Sequence, residues 1–155
     1  MRWITALLLW AATPSFAAQT PWRVEEGVDA MSDRRILSAY TRVDAGRAGE
    51  HALMLRCAGG KLIGSIGTGD YISTLGDQAR TLIRWDDDLP INGQLRISHS
   101  SNAVLLEDAD DFAAGLRDRG RLRARVFRPD GSYIDLDFSL DGSAGPVDAV
   151  LEACR

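Results

Sequence analysis

The sequence predicts an α+β fold, a β-rich antiparallel sandwich or curled barrel of about eight strands with two short helices. Three observations predict it. Residues 22–98 run as short extended segments separated by turns, with no long stretch of helical period. A Pro-Asp-Gly turn at 129–131 joins two further alternating segments. Helical spacing of apolar residues occurs only at 108–119 and from Pro146 onward.

The first segment is read as a leader rather than as fold. Met1-Arg2 is a short positive start, residues 3–12 are apolar, and Ser15-Phe16-Ala17 fits a small-x-small cleavage site. That apolar run is half of the roughly 20 residues a membrane span needs, and no later run is longer. The expected organisation is therefore a signal peptide at 1–17 and a single exported domain at 18–155, periplasmic or secreted, with no membrane span after cleavage. No cysteine lies near the cut, which excludes a lipid-modified cysteine at the new N-terminus.

The strand candidates follow in order at 22–25, 36–43, 52–57, 61–66, 80–85 and 94–98. In the second, Leu37, Ala39, Thr41 and Val43 alternate with Ser38, Tyr40 and Arg42, so one face is set for a core. In the third, Leu53, Leu55 and Cys57 share a face, and Ala58-Gly59-Gly60 turns the chain tightly toward Lys61. Arg128-Pro129-Asp130-Gly131-Ser132 fits a three-residue hairpin loop with Gly in the left-handed position. Placing Arg128 opposite Ser132 fixes a register. Val126 then meets Ile134, Ala124 meets Leu136 and Leu122 meets Phe138 on the inner face. On the outer face Arg125 meets Asp135 and Arg123 meets Asp137, so the run Arg121, Arg123, Arg125 reads as a cross-strand charge ladder rather than an anion-binding ridge.

The first helix, at 108–119, has Asp108, Asp110 and Asp111 in its first turn, Arg117 and Arg119 in its last, and Gly120 as a C-cap. The second starts at Pro146 and places Val147, Val150, Leu151 and Cys154 on one stripe facing the sheet. That stripe brings Cys154 toward the sheet's inner face, where Cys57 sits. In an oxidising compartment the two cysteines are expected to pair, and closing so long a loop is worth roughly 4–5 kcal/mol in the chain-entropy model. A redox or nucleophilic cysteine has little support, because there is no Cys-x-x-Cys.

Composition excludes several functions. The chain is 45% hydrophobic and 26% charged, with a formal charge of −4, and no part of it combines a basic excess with interleaved aromatics, so nucleic acid is not an expected partner. There is no His-Glu-x-x-His, Gly-x-Ser-x-Gly or phosphate loop. His51 has the parity of Leu53 and Leu55 and reads as a packing residue. His99, between Ser98 and Ser100, is the nearest approach to a nucleophile pair, and no orienting acid can be assigned to it. Asp86-Asp87-Asp88 and the cluster Glu107, Asp108, Asp110, Asp111 lack the Asp-x-Asp-x-Asp-Gly spacing of a calcium loop and read as a solvated turn and a helix start. Trp22, Trp85 and Tyr133 are candidates for an aromatic ligand patch, with core and rim as the plainer reading. No catalytic residue, metal site or cofactor is expected.

The order of features carries a resemblance. Trp22 and Met31-Ser32-Asp33 are followed by Leu55-Arg56-Cys57, Arg84-Trp85-Asp86, Phe138-x-Leu140-x-Gly142-Ser143, a short helix and Cys154. This layout resembles the VasI/TagO-like envelope proteins associated with type VI secretion. The resemblance implies an accessory of the bacterial envelope without established catalytic residues, and it supports pairing Cys57 with Cys154. One departure stands out: 94–98 reads Gln-Leu-Arg-Ile-Ser, where the family often carries a Trp-x-x-Ser-like element.

The resulting expectation is a non-enzymatic exported envelope protein, a binding or assembly accessory with a protein partner. The alternative is an inhibitor or immunity-like protein that blocks an envelope or secreted hydrolase, using Asp86, Asp87 and Asp88 against a basic cleft. A small hydrolase using His99 with Ser98 or Ser100 is the third reading.

Overall fold

The computed structural model describes residues 19–74 and 77–155, so the expected leader at 1–17 lies outside the described residues. Among these, nine strands and two α-helices follow in order, with one 3-10 turn (Gly46–Ala48) between the second and third strands: β1 (Arg23–Val28), β2 (Arg35–Asp44), β3 (Glu50–Ala58), β4 (Lys61–Gly67), β5 (Gln78–Trp85), β6 (Ile91–Ile97), β7 (Ala103–Glu107), α1 (Asp110–Asp118), β8 (Arg121–Phe127), β9 (Tyr133–Ser139) and α2 (Ala144–Ala153). All strand pairs are antiparallel, in one sheet of order β1-β2-β3-β4-β7-β6-β5-β8-β9. The strand beyond the eight expected is β7. Its Ala103-Val104-Leu105-Leu106 run has no polar alternation and leads within a few residues into α1.

Alternation decides which side each strand buries. Leu37, Ala39, Thr41 and Val43 on β2 face the core, as do His51, Leu53, Leu55 and Cys57 on β3. On β8 and β9 the even residues are buried, with Leu122, Val126 and Phe138 fully so. The hairpin between these strands has the expected register, Val126 with Ile134 and Leu122 with Phe138. Its turn is built as the sequence implies: Gly131 takes φ +86° and the Arg128 N–H donates to the Ser132 carbonyl at 2.8 Å.

The sheet curls until its ends nearly meet. Gln19 bridges to Val43 at the end of β2, and its side-chain amide reaches the free edge of β9. Gln19 Nε2 donates to the Ser139 carbonyl at 2.7 Å, and the Ser139 N–H donates to Gln19 Oε1 at 2.7 Å. One carboxamide thus exchanges both hydrogen bonds with a backbone position, as a neighbouring strand would.

Both helices add to the core inside the curl. α2 packs on β1, β2 and β3 through Val147 and Val150, and α1 packs on α2 and β4 through Phe112 and Leu116. Phe112 lies against bare backbone at Gly64, where a Cβ would stand 2.6 Å from its ring. Trp85 makes the same approach to Gly115, at 2.6 Å. Cys57 of β3 is bonded to Cys154 just past α2, with Cα atoms 5.5 Å apart, which ties the second helix to the third strand.

Two helix ends differ from the sequence reading. α1 closes at Arg119, whose N–H donates to the Gly115 carbonyl, and Gly120 is not a left-handed cap; its N–H is taken by Asp86. α2 begins at Ala144, ahead of Pro146, because Ser143 already accepts the first helical bond from Val147. No helix of the described residues is long and apolar enough to cross a membrane.

Candidate functional site

The outer face of β5, β8 and β9 carries alternating charge, and the loop after β5 leans over it. Arg125 and Asp135 stand opposite in the ladder and form a two-pronged ion pair at 2.6 and 2.8 Å. Arg123 and Asp137 are also opposite, but they do not pair. Arg121 reaches diagonally to Asp137 with two nitrogens, leaving Arg123 without that partner. The hydrogen bonds to Asp137 and Asp135 occupy the Arg121 and Arg125 guanidinium groups and push their pKa values further up.

Arg123 turns instead toward β5. There it stands directly opposite Arg84 in the β5–β8 ladder, two like charges in a position that ordinarily costs stability. Arg123 Nη2 donates to the Asp86 carbonyl at 2.5 Å. Among the described residues, the one carboxylate within 4 Å of both guanidinium groups is that of Asp87, 3.7 Å from each, and Asp87 itself is fully exposed. The Nε atoms of Arg84 and Arg123 are buried and have no hydrogen-bond partner. Beside the pair opens a cavity of about 380 Å³ whose charged lining is Arg84, Arg123 and Arg125 with Asp135 and Asp137, the two carboxylates already held by Arg125 and Arg121.

The three aspartates of the expected partner-binding loop have three different roles. Asp86, at φ +43°, accepts the N–H groups of Gly120 and Arg121 at 3.0 and 2.8 Å and so clamps the α1–β8 turn to the end of β5. Asp88 pairs with Arg119 at 3.1 Å. Asp87 alone is free of strong bonds, and it lies over the arginine pair. Sequence reasoning singled out the loop, set Arg123 aside as part of a neutralised ladder and gave Arg84 no role, because their meeting depends on β5 pairing with β8 across β6, β7 and α1.

The remaining candidates fall in separate places. His51 is buried near the start of β3 opposite Val43, with its Nε2 unpartnered, and burial lowers its pKa. Ser98 and Ser100 share a hydrogen bond at 3.1 Å, and Ser100 donates to Asn102 at 2.6 Å, while His99 bonds to neither serine. Trp22 is buried and Trp85 half-buried, and only Tyr133 is exposed, under the Arg125 guanidinium, so the three aromatics form no common patch. Among the described residues no three His, Cys, Asp or Glu side chains are placed to hold a metal ion.

No protein-family model matches the chain, and no curated protein matches it. Among solved structures it is similar to the crystal structure of invasion associated protein B from Bartonella henselae, with a TM-score of 0.61 over 92% of this chain and 96% of that one. The two are 13% identical, so the likeness is one of fold.

Proposed function

We propose that the protein is a non-enzymatic, exported binding module of the bacterial envelope that takes a carboxylate-bearing segment of a protein partner on Arg84 and Arg123. The carrying observation is the arginine pair itself: two guanidinium groups stand opposite each other, about a third exposed, and share one distant and fully exposed counter-ion. A planar fork prefers a carboxylate held by two parallel bonds, and a glutamate or aspartate from a partner supplies what Asp87 does not. Asp87 then acts as a weak internal competitor. Export is supported by the Cys57–Cys154 bond, which belongs to oxidising compartments, and by the leader-like start. The fold shared with an invasion associated protein supports an envelope or secreted role, periplasmic in the first instance. The layout that resembles VasI/TagO-like proteins supports the narrower role of an accessory to type VI secretion.

The test is binding of acidic peptides and envelope proteins to the mature, oxidised chain. Replacing Arg84 or Arg123 by Ala is expected to weaken binding roughly 10- to 100-fold, from about 1.5–3 kcal/mol per hydrogen bond to a charged group. Asp87→Ala is expected to strengthen it. An inhibitor acting through its acidic loop predicts the reverse for Asp87, and binding indifferent to both arginines would end the proposal.

A further inference from the structure

A second site is carried by a different part of the molecule. β6 pairs with β7 at two positions only, Arg96 with Leu105 and Ile97 with Val104. Beyond them the chain leaves β7 at Glu107 for α1, and the first half of β6 runs on without a neighbour on that side. The sheet therefore opens between β6 and the start of α1. A groove of about 260 Å³ lies there, lined chiefly by Ile83, Trp85, Leu95, Leu106 and Phe112, with Asp111 the one charged residue. Ile83, Trp85 and Leu95 are only half-buried, whereas Thr81, Leu122 and Val126 deeper in the curl are closed off. Ile91 at the rim and Leu89 just before it are 61% and 88% exposed.

The charge at this mouth has one sign. Among the described residues no hydrogen bond or ion pair engages the Asp111 carboxylate, nor do Asp108 and Asp110 beside it have an ion-pair partner. Arg96 is already paired with Glu107 at 2.5 Å. The two aromatic rings that line the groove, Trp85 and Phe112, stand 5.8 Å apart at a tilt of 58° and give it an aromatic wall suited to an apolar body. Gly93 keeps the floor open: a Cβ there would meet only Thr81 Oγ1, at 3.6 Å, so a side chain at 93 would fill the groove without displacing the core.

We propose that this groove binds a small apolar amine, its aromatic or aliphatic body between β6 and α1 and its ammonium group at Asp111. The volume suits a ligand of about ten heavy atoms, and binding of so small a molecule is expected at roughly millimolar strength. This site uses none of the residues of the arginine pair, so it stands or falls separately.

The probes are 2-phenylethylamine, 2-phenylethanol and phenylacetate, which share a body and differ in charge, titrated into the oxidised mature protein with backbone amide shifts as the readout. The expected result is saturable binding of the amine, at least 10-fold tighter than phenylacetate, with shifts centred on Gly93, Leu95 and Leu106. Gly93→Phe should abolish it in a chain whose spectrum remains dispersed, and the smaller Gly93→Val should weaken it if the larger side chain unfolds the protein. Asp111→Asn should reduce the amine to the affinity of the alcohol. Equal binding of the three probes, shifts centred elsewhere, amine binding that survives both Gly93 substitutions, or no saturation by about 10 mM would overturn the proposal.

Discussion

Arg123 stands opposite Asp137, and a cross-strand ion pair would have satisfied both. The register was legible from the hairpin sequence alone; the choice of partner was not, since Arg121 reaches Asp137 from one step away and Asp86 offers Arg123 a carbonyl from another element. Long side chains decide their contacts by what surrounds them, and that surrounding is assembled by long-range pairing. His51 makes the complementary case, because its parity already marked it as a packing residue and it is buried. Its pKa is lowered from the ordinary 6.5 by desolvation. The unfolded chain therefore takes up a proton first, and stability is lost as pH falls below about 6.5 until the native His51 is itself protonated. Urea melts at pH 7.5 and 5.5 should show wild type losing more stability on acidification than His51→Leu. The lowered Asp29 and Asp130 carboxyls, held by Ser32 and Ser132, titrate below 3.8 and leave that window undisturbed.

Strands with polar alternation or a marked turn were readable, and β7, which has neither, was not. Its identity comes from pairing on both sides, with β4 along its full length and with β6 at two positions. Element packing also rests on glycines whose reason is invisible in sequence. Gly64 on β4 admits the Phe112 ring of α1, so Gly64→Ala should cost roughly 1–3 kcal/mol by overpacking, measurable as a lower urea midpoint with an unchanged slope. At the seam, Gln19 stands in for a strand on the edge of β9. Gln19→Ala should speed amide exchange at Ser139 while leaving the amides of β3 protected; slow exchange at Ser139 in that variant would show that the seam holds without the carboxamide.

For the whole molecule, the disulfide ties α2 to β3 and the Gln19 seam ties the start of the described chain to β9, while Arg84 and Arg123 are set opposite each other by β5–β8 pairing and the Asp86 clamp. Closing a loop of 97 residues, the Cys57–Cys154 bond is worth roughly 4–5 kcal/mol in the chain-entropy model, so its reduction should lower stability by about that amount without changing the strand order. The pairing of the cysteines and the mostly-β architecture were legible because both follow from local parity and helix spacing. The arginine pair was not, since it joins β5 to β8 across β6, β7 and α1. The most direct test of the account is photo-crosslinking in cells from an unnatural residue at position 87, whose side chain is fully exposed beside Arg84 and Arg123, with the exposed position 31 as control. The account predicts a discrete, salt-sensitive adduct in the envelope fraction from position 87 alone, lost when Arg84 and Arg123 are both changed to Ala. An adduct that persists in that double variant, or none from position 87, would contradict it.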